Sequence, residues 1–311
     1  MGTAFTIVLY ATDSRLASEA ATAAFQRINM LEDIMSDYQA DSELNVLSGS
    51  PVGKPVPLSQ KLFDVLCRSE HISRISHGAF DVTVGPYVRL WRFARKRKVL
   101  PTTEEVATAR AAVGWRKLQI DARNHTATLT VPGMRLDLGG IAKGYAADEA
   151  LKELRARGIP RALVAASGDI ALGDPPPGEH GWKIGIAGWE SNGLPSTLLL
   201  RNCGISTSGD AEQYIEINGV RYSHIVSPAT GLGLTERIQV TIVAPDTTTT
   251  DGFATAVSVL GKEAGLRLIE KEAHTAALVL IPTSGGKMET FASKRFRLLP
   301  KAPGAASAHV R

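Results

Sequence analysis

The sequence has 311 residues, about twice the usual length of one domain, and its 44% hydrophobic and 21% charged residues exclude a disordered, collagen-like or coiled-coil chain. Its 35 Lys and Arg residues against 31 Asp and Glu residues give a net charge of +4, without the concentrated positive charge of a dedicated nucleic-acid binder. The two cysteines, Cys67 and Cys203, exclude a disulfide scaffold and a four-cysteine zinc site, so a bound metal would need oxygen or histidine ligands.

Hydrophobic spacing divides the chain into helices and strands. Apolar residues at three- and four-residue steps from Leu16 to Met35 predict a first helix capped by Asp13 or Ser14. Similar patterns predict further helices over residues 59–77, 102–113, 140–157, 250–260 and 263–271. Short alternating or apolar runs predict strands over residues 3–11, 118–121, 126–131, 135–138, 163–172, 182–187, 198–207, 214–222 with an Asn218-Gly219 turn, 239–244 and 276–281. This mixture predicts one α+β unit whose last third is mainly sheet.

Two segments between these elements are predicted to be loops. In residues 78–86, Phe80 and Asp81 would offer an aromatic face and an acceptor to a ring-shaped ligand, or would form a packed turn. The basic run from Arg89 to Lys98 contains interleaved aromatic residues, as short single-strand nucleic-acid sites do. A solvated loop or a contact with an acidic partner protein is the preferred interpretation, and no nucleic acid is expected as a partner.

A glycine pair precedes the helix predicted from Gly140. The segment LDLGGIAKGY, residues 136–145, joins a strand end to a helix start that carries Lys143. Glycines let a ligand approach the backbone closely, and N–H groups at a helix start attract an anion, so a phosphate group is one expected guest. The pattern is neither GxxxxGK[ST] nor GxGxxG, and an ordinary strand-to-helix turn is the alternative.

Hydroxyl and carboxyl side chains are concentrated in the segment TTTTDGFATA, residues 247–256. Asp251 and Thr255 are four residues apart and therefore share one face of the predicted helix. They offer hard oxygen ligands, which suit Mg²⁺ because this ion needs few protein ligands and completes its shell with water and substrate phosphates. The alternative is helix capping, with the threonines at the N-cap and Asp251 complementing the helix dipole in the first turn.

Two further side chains are candidates for ligand contact or catalysis. His224 stands at a strand end, and its ordinary pKa suits proton transfer near pH 7, although a structural histidine is the alternative. Tyr38 ends the first helix, where it would stack on a flat heterocycle or lie half-buried.

Seven segments, taken in chain order, resemble the ApbE family of FAD:protein FMN transferases. They are MGTAFTIVLYA, MSDYQADSELNVL, GAFDVTVGPYVRLW, LDLGGIAKGYAADEAL, SGDIALG, TSGDAEQYIEINGVRYSHIVSPATG and VTIVAPDTTTTDGFATAVSVLG. The similarity extends from Met1 to about Pro282. It implies one ApbE-like domain over residues 1–299, with a mixed, mostly antiparallel sheet and flanking helices, and a disordered tail over residues 300–311.

The resemblance also implies a chemistry. FAD would bind in a cleft, and its FMN half would be transferred through a phosphoester bond to a Ser or Thr hydroxyl of an acceptor flavoprotein, with AMP released and Mg²⁺ required. Asp251 and Thr255 match the metal-binding side chains of the family, and Ala142 matches the position that supplies a backbone carbonyl. The positions that match flavin-nucleotide contacts are Met1, Tyr38, Ala79, Phe80, Asp81, Gly139, Lys143 and His224. His224 also matches the proposed base.

Departures from the family pattern leave two alternative activities open. Ser227 stands where Asp is common, Ala229 where Arg is common, and Ala165 and Ser167-Gly168 replace a usual Asn and Gly pair. The alternatives are a protein that binds FAD without transfer, and a pyrophosphatase that uses water to give FMN and AMP.

Met1 falls within the first of these motifs, so we expect a natural chain to extend upstream through a signal or lipid-anchor segment. The protein would then be periplasmic or membrane-anchored, and otherwise cytoplasmic, and a membrane redox subunit would be a suitable acceptor.

Overall fold

The structure is a computed structural model that describes residues 2–191, 194–209, 214–283 and 287–302. Its helices are α1 (Ser14–Met35), α2 (Glu43–Ser48), α3 (Gln60–Ile75), α4 (Gly85–Arg97), α5 (Thr103–Ala111), α6 (Ala142–Ala156), α7 (Thr247–Lys271) and α8 (Lys294–Arg297). Its strands are β1 (Phe5–Leu9), β2 (Val56–Pro57), β3 (Leu118–Asp121), β4 (Thr126–Leu129), β5 (Ala162–Ala166), β6 (Asp169–Leu172), β7 (Trp182–Ser191), β8 (Leu194–Leu200), β9 (Cys203–Gly209), β10 (Tyr214–Ile217), β11 (Val220–Ser223), β12 (Gln239–Ala244), β13 (Ala276–Pro282) and β14 (Met288–Ala292). No helix in these ranges is long and apolar enough to cross a membrane.

A seven-stranded sheet organises the molecule, with strand order β1-β5-β6-β9-β12-β13-β14. Every neighbouring pair in this sheet is antiparallel. Successive side chains of a strand point to opposite faces, so in β12 Val240 and Ile242 join the core on one face while Val243 joins the core on the other. These antiparallel pairings and the flanking helices confirm the predicted α+β fold.

Helices cover one face of the sheet, and the β7–β8 hairpin covers the other. On the helical face, Phe253 and Val257 of α7 belong to the same core as the β12 residues. On the opposite face, Trp182, Ile186 and Leu198 of the hairpin belong to the core that includes Leu278 of β13. Both faces are therefore buried, which fixes the sheet together with α6, which leads into β5, and α7, which connects β12 to β13.

Helix α6 lies between α1 and α7. Small residues form the α1 contact, with Ala20 and Ala24 of α1 in one core with Ala147 and Ala150 of α6. Gly144 of α6 forms an equally close contact with α7, because a Cβ at this position would overlap the Thr247 carbonyl oxygen. Close helix packing through small residues thus determines where the first turn of α6 lies.

Several predicted element boundaries are confirmed. Asp13 caps α1 through its side chain, Ser59 caps α3, and Thr102 with Glu105 forms a capping box at α5. Asn218 and Gly219 have φ of 53° and 74°, as the predicted two-residue hairpin turn requires.

Other boundaries were predicted wrongly. Helix α7 begins at Thr247 with Asp246 as its N-cap, so neither Thr250 as the first residue nor capping by the threonines is correct. The predicted break between its two halves is present, since Gly261 has non-helical φ and ψ of 74° and 177°. The run 163–172 is two antiparallel strands rather than one, reversed at Ser167, whose φ is 57°. The run 198–207 is divided between β8 of the hairpin and β9 of the seven-stranded sheet.

The basic run was also predicted wrongly, because most of it is helix α4 rather than a loop. Residues 135–138 make only an isolated bridge, between Arg135 and Val84, instead of a strand. In the predicted tail, Leu199 donates a hydrogen bond to Pro300 and Ala302 donates one to Thr197, so these first residues extend along β8. The rest of the tail lies outside the described residues.

Candidate active site

Lys143 in the first turn of α6 is bound by two buried carboxylates. Its Nζ lies 2.7 Å from Asp169 Oδ2 and 3.3 Å from each carboxylate oxygen of Asp251. It also donates to the Gly139 carbonyl at 3.3 Å. Asp251 and Asp169 are 4% and 5% exposed. The strand β6, the helix α7 and the turn at Gly139 and Gly140, called here the glycine turn, therefore converge on one ammonium group.

Burial and charge shift the pKa values of this cluster. Burial alone lowers the pKa of Lys143, but the Asp169 and Asp251 carboxylates outweigh it and raise that pKa above its ordinary value. Burial, followed by repulsion from Asp169, raises the pKa of Asp251 to about 7 in spite of Lys143. Once Asp251 is ionised, two carboxylates face one ammonium, and a further cation would compensate the net negative charge of the cluster.

The remaining predicted metal residues lie beside this cluster. Ala142 is the first residue of α6, and the Gly144 N–H donates to Asp251 Oδ2 at 3.0 Å. A Cβ on Gly140 would lie 2.8 Å from the Thr255 hydroxyl oxygen, so Thr255 faces the glycine turn. Asp251 and Thr255 do share a face of α7, as their spacing predicts. Asp251 lies one residue beyond the first turn and is buried, however, so it does not serve as an exposed dipole-compensating residue.

The first turn of α6 differs from the expected array of free N–H groups. The Ala142 N–H donates to the Leu138 carbonyl at 2.8 Å, and the Gly144 N–H is held by Asp251. These two amides are therefore already bonded within the protein, and the positive charge available to an anion is mainly that of Lys143.

Gly144→Ala should destabilise the protein by about 3 kcal/mol, because its methyl group would overlap the Thr247 carbonyl oxygen and lie 2.9 Å from Asp251 Cβ. Urea unfolding followed by circular dichroism measures this change. Gly49→Ala is the matched control, since its Cβ would meet nothing closer than the Asn45 carbonyl at 3.4 Å, and it should change stability by less than about 1 kcal/mol. Equal stability of both variants would contradict the close α6–α7 contact.

A second polar group joins Tyr38 to the glycine turn through Arg92 of α4. The Arg92 guanidinium carbon lies 4.1 Å from the centroid of the Tyr38 ring. One of its nitrogens pairs with Asp37 and lies 3.7 Å from Asp137 Oδ2. Asp137 in turn accepts the Gly139 N–H at 2.8 Å. The sequence did not single out Arg92, Asp37, Asp137 or Asp169 as site residues, and Arg92 was visible only as one charge of the basic run.

Asp137 should make the stability of the protein depend on pH. Burial, and then the neighbouring Asp37, raise the pKa of Asp137 to about 6. A folded-state pKa above the unfolded value means that this contribution is fully present below about pH 4 and is lost as the pH rises through about 6. The stability difference between wild type and Asp137→Asn should therefore shift by about 2 kcal/mol against wild type over this interval.

Urea unfolding at pH steps from 4 to 7.5 measures this difference. Asn keeps an oxygen for the Gly139 N–H, so the variant removes the titration and not the hydrogen bond. Asp121→Asn is the control, since that side chain is exposed and hydrogen-bonds within its own hairpin. Parallel pH profiles of wild type and Asp137→Asn would contradict the raised pKa.

The Ala79-Phe80-Asp81 triplet lies next to the glycine turn but is occupied by internal contacts. Phe80 is 3% exposed, and its ring faces Gly140. Asp81 accepts hydrogen bonds from the Thr83 N–H and hydroxyl and from the Trp115 N–H, at 2.7–2.8 Å. Burial raises the pKa of Asp81 despite these bonds. Flavin contact by this triplet stays a prediction.

His224 is half-buried and directly follows β11. The segment after it is anchored to α4 and α5: the Trp91 Nε1–H donates to the Gly231 carbonyl at 2.9 Å, and Arg110 donates to the Thr230 carbonyl at 3.2 Å. The Ser227 N–H donates to the Leu232 carbonyl. The backbone carbonyls and amides of this loop therefore make these bonds, none of which uses the side chains at 227 and 229.

The structure thus brings Gly139, Lys143, Ala142, Asp251 and Thr255 together and connects Tyr38 to them through Arg92. Met1 lies outside the described residues. A separate cavity of about 680 Å³ lies among α3, α6 and the start of α7, and none of the predicted site residues lines it. Its charges include the pairs Lys61–Glu149 and Arg68–Asp246.

Comparison with known proteins agrees with the resemblance. The model of the ApbE family matches residues 1–279. The FAD:protein FMN transferase of Haemophilus influenzae is 32% identical, over 96% of this chain and 89% of the relative. That of Vibrio cholerae is 33% identical, over 86% and 80%.

Solved structures are similar over nearly their full length. The flavin transferase ApbE from Vibrio cholerae superposes with a TM-score of 0.86 at 31% identity, covering 96% of each chain. The apo form of the flavinyl transferase ApbE from Pseudomonas stutzeri gives a TM-score of 0.85 at 30% identity, covering 96% of this chain and 94% of the other.

Proposed function

The chain belongs to the ApbE family, and we propose from this premise that it is an enzyme that transfers FMN from FAD to a Ser or Thr hydroxyl of an acceptor flavoprotein. A phosphoester bond forms and AMP leaves. The observation that carries the proposal is the buried Lys143 cluster, in which α6, α7 and β6 converge beside a glycine turn. A dianionic diphosphate approaching an alcohol needs charge neutralisation and alignment more than it needs a covalent protein intermediate.

Mg²⁺ fits the residues present. When Asp169 and Asp251 are both ionised, the Lys143 cluster carries one uncompensated negative charge, and Gly140 lacks the side chain that would press on the Thr255 hydroxyl. Mg²⁺ is a hard ion that binds few protein oxygens and completes its shell with water and substrate phosphates. Asp251, Thr255 and the Ala142 carbonyl would hold the ion, whose bound charge would neutralise the diphosphate and the departing phosphate.

The side chains of the protein would act at separate points of the reaction. Lys143 would bring an ammonium to the diphosphate, held in place by its two carboxylates. Tyr38, fixed by Arg92, would lie along the flavin ring. His224 would accept the proton of the acceptor hydroxyl as its oxygen bonds to the FMN-side phosphorus and the diphosphate bond breaks.

Product analysis tests the proposal. The protein is incubated with FAD, Mg²⁺ and a recombinant flavoprotein subunit that carries a Ser/Thr flavinylation motif, and intact mass is measured. The acceptor should become heavier by one FMN with one AMP released, and an acceptor with that Ser or Thr changed to Ala should not. FAD binding without AMP would support the binding-only alternative, and FMN plus AMP without acceptor labelling would support the pyrophosphatase alternative.

The native acceptor and compartment are further parts of the proposal. A membrane redox subunit would present its hydroxyl at a membrane surface, which an enzyme in the periplasm or anchored to the membrane would reach. Fractionation of the native host, with the flavinylated protein identified by in-gel flavin fluorescence, would assign both.

A further inference from the structure

One side of α4 carries a dense positive charge that the reaction does not use. Residues 89–98 contain six Lys or Arg residues, and no acidic residue occurs between Asp81 and Glu104. Arg92 is used in the contact with Tyr38, Asp37 and Asp137. The other five are exposed: Arg89, Arg95, Lys96, Arg97 and Lys98. We call these five residues the basic surface.

The basic surface has no counter-charge within the part of the chain that the structure describes, where none of its five residues makes an ion pair. The adjacent positive charges of Arg95, Lys96, Arg97 and Lys98 repel each other, although those in the last turn of α4 also complement the helix dipole. An acidic ligand would remove that repulsion, and this is the complementarity on which the inference depends.

The basic surface is close to the candidate active site. Arg92 contacts Asp137, Asp137 holds the Gly139 N–H, and the Gly139 carbonyl accepts from Lys143. Arg89, Arg95 and Lys96 are three or four residues from Arg92, about one helical turn or 5 Å along the axis. A protein whose hydroxyl entered the site beside Tyr38 would therefore lie against this part of α4.

The apolar residues of α4 argue against a membrane or a nucleic acid as the ligand. Tyr87, Trp91 and Ala94 are at most 3% exposed and pack inward, so α4 has no apolar face to insert into a lipid interface. Phe93 is 48% exposed, but Arg97 lies 5.9 Å from its ring centroid, which leaves no row of open aromatic faces for stacked bases.

We propose that the basic surface docks an acidic segment of the acceptor protein, and so increases the affinity for acceptors whose modified Ser or Thr is flanked by Asp or Glu. This inference rests on the proposed function, which requires a protein acceptor. Charges at the rim of an interface act mainly on association rate and salt dependence, so the effect belongs to acceptor binding and leaves FAD binding unchanged.

The test uses the full chain and two labelled peptides that share a flavinylation motif, one flanked by Glu and the other by Gln at the same positions. Fluorescence anisotropy in low salt, without FAD, should show about tenfold tighter binding of the Glu peptide, as expected for several weak surface ion pairs. The preference should disappear in 0.5 M NaCl and in Arg95→Gln/Lys96→Gln/Lys98→Gln. A control with the same charge loss elsewhere, Lys54→Gln/Arg267→Gln/Lys271→Gln, should keep it.

Equal binding of the two peptides by wild type, or an unchanged preference in the α4 variant, would overturn the proposal. It would also be overturned if the α4 variant lost binding to phosphatidylglycerol vesicles or to single-stranded DNA while its peptide preference stayed. Because the measurement needs no turnover, its failure is separate from that of the proposed function, which appears as an absence of acceptor labelling in the mass experiment.

Discussion

Asp251→Asn should lower the rate of FMN transfer at least about a hundredfold, the scale of losing a preorganised charge-stabilising group, while the protein still folds. The carboxylate lies in the Lys143 cluster and is the only charged side chain among the proposed metal-holding groups Asp251, Thr255 and Ala142. Lys143 keeps Asp169 at 2.7 Å in the variant, so no buried ammonium is left unpaired, and Asn can still accept the Gly144 N–H. Single-turnover assays with AMP quantified measure the rate.

Two accompanying measurements make this result specific. Urea unfolding should give wild-type-like cooperativity for Asp251→Asn, which separates loss of chemistry from loss of fold. Glu263→Gln, a change at an exposed acid on the same helix, should retain full activity. If Asp251→Asn were as active as Glu263→Gln, the proposed metal and diphosphate site would be wrong.

His224→Ala should slow transfer by about 10²–10³-fold with little change in the dissociation constant for FAD, because removal of a general base affects the transition state and not the bound nucleotide. The loop that follows His224 is held by hydrogen bonds that the Trp91 and Arg110 side chains donate to its backbone carbonyls, so the substitution leaves its path intact. Transfer reactions stopped at timed intervals give the rate of FMN transfer, and quenching of flavin fluorescence gives the dissociation constant for FAD.

His180→Ala is the matched control, since His180 is exposed. A parallel loss of FAD affinity and rate in His224→Ala would assign the histidine to nucleotide binding. Full activity of His224→Ala would place the base elsewhere.

Local signals in the sequence predicted much of the fold. Asp13, Ser59 and Thr102 mark helix starts because their side chains bond to free amides of the first turn, an interaction within three residues. The Asn218-Gly219 turn and the break at Gly261 are equally local, since each depends on a backbone conformation that few residues adopt. Such features need no knowledge of the tertiary structure.

Helix α4 was missed although its signals were present. Pro86 favours the first turn of a helix, and Tyr87, Trp91 and Ala94 have helical spacing, but the six surrounding charges lowered the apparent hydrophobicity of the segment. The buried face of α4 is narrow, and it is recognisable only in the folded structure, where it packs against Tyr222 and Val226.

The candidate site was predicted in part. Asp251 and Thr255 were placed together because their separation is local to one helix. Asp169 and Asp137 were not assigned, since Asp169 meets Lys143 only because β6 lies beside α6 in the folded chain, and Asp137 meets Arg92 across 45 residues of sequence. Interactions between distant segments leave no periodic signal, and an acid in a mainly apolar strand such as β6 is the only sign available.

Adjacent residues of α4 hold both of the segments between which the substrates would meet. Trp91 is tied to the chain that follows His224, and Arg92 to the chain that leads into Gly139. The distance between these two segments is therefore set by one helix, α4, and a displacement of either segment would displace the other. A protein that bound against α4 and shifted it would change the width of the site at both segments at once.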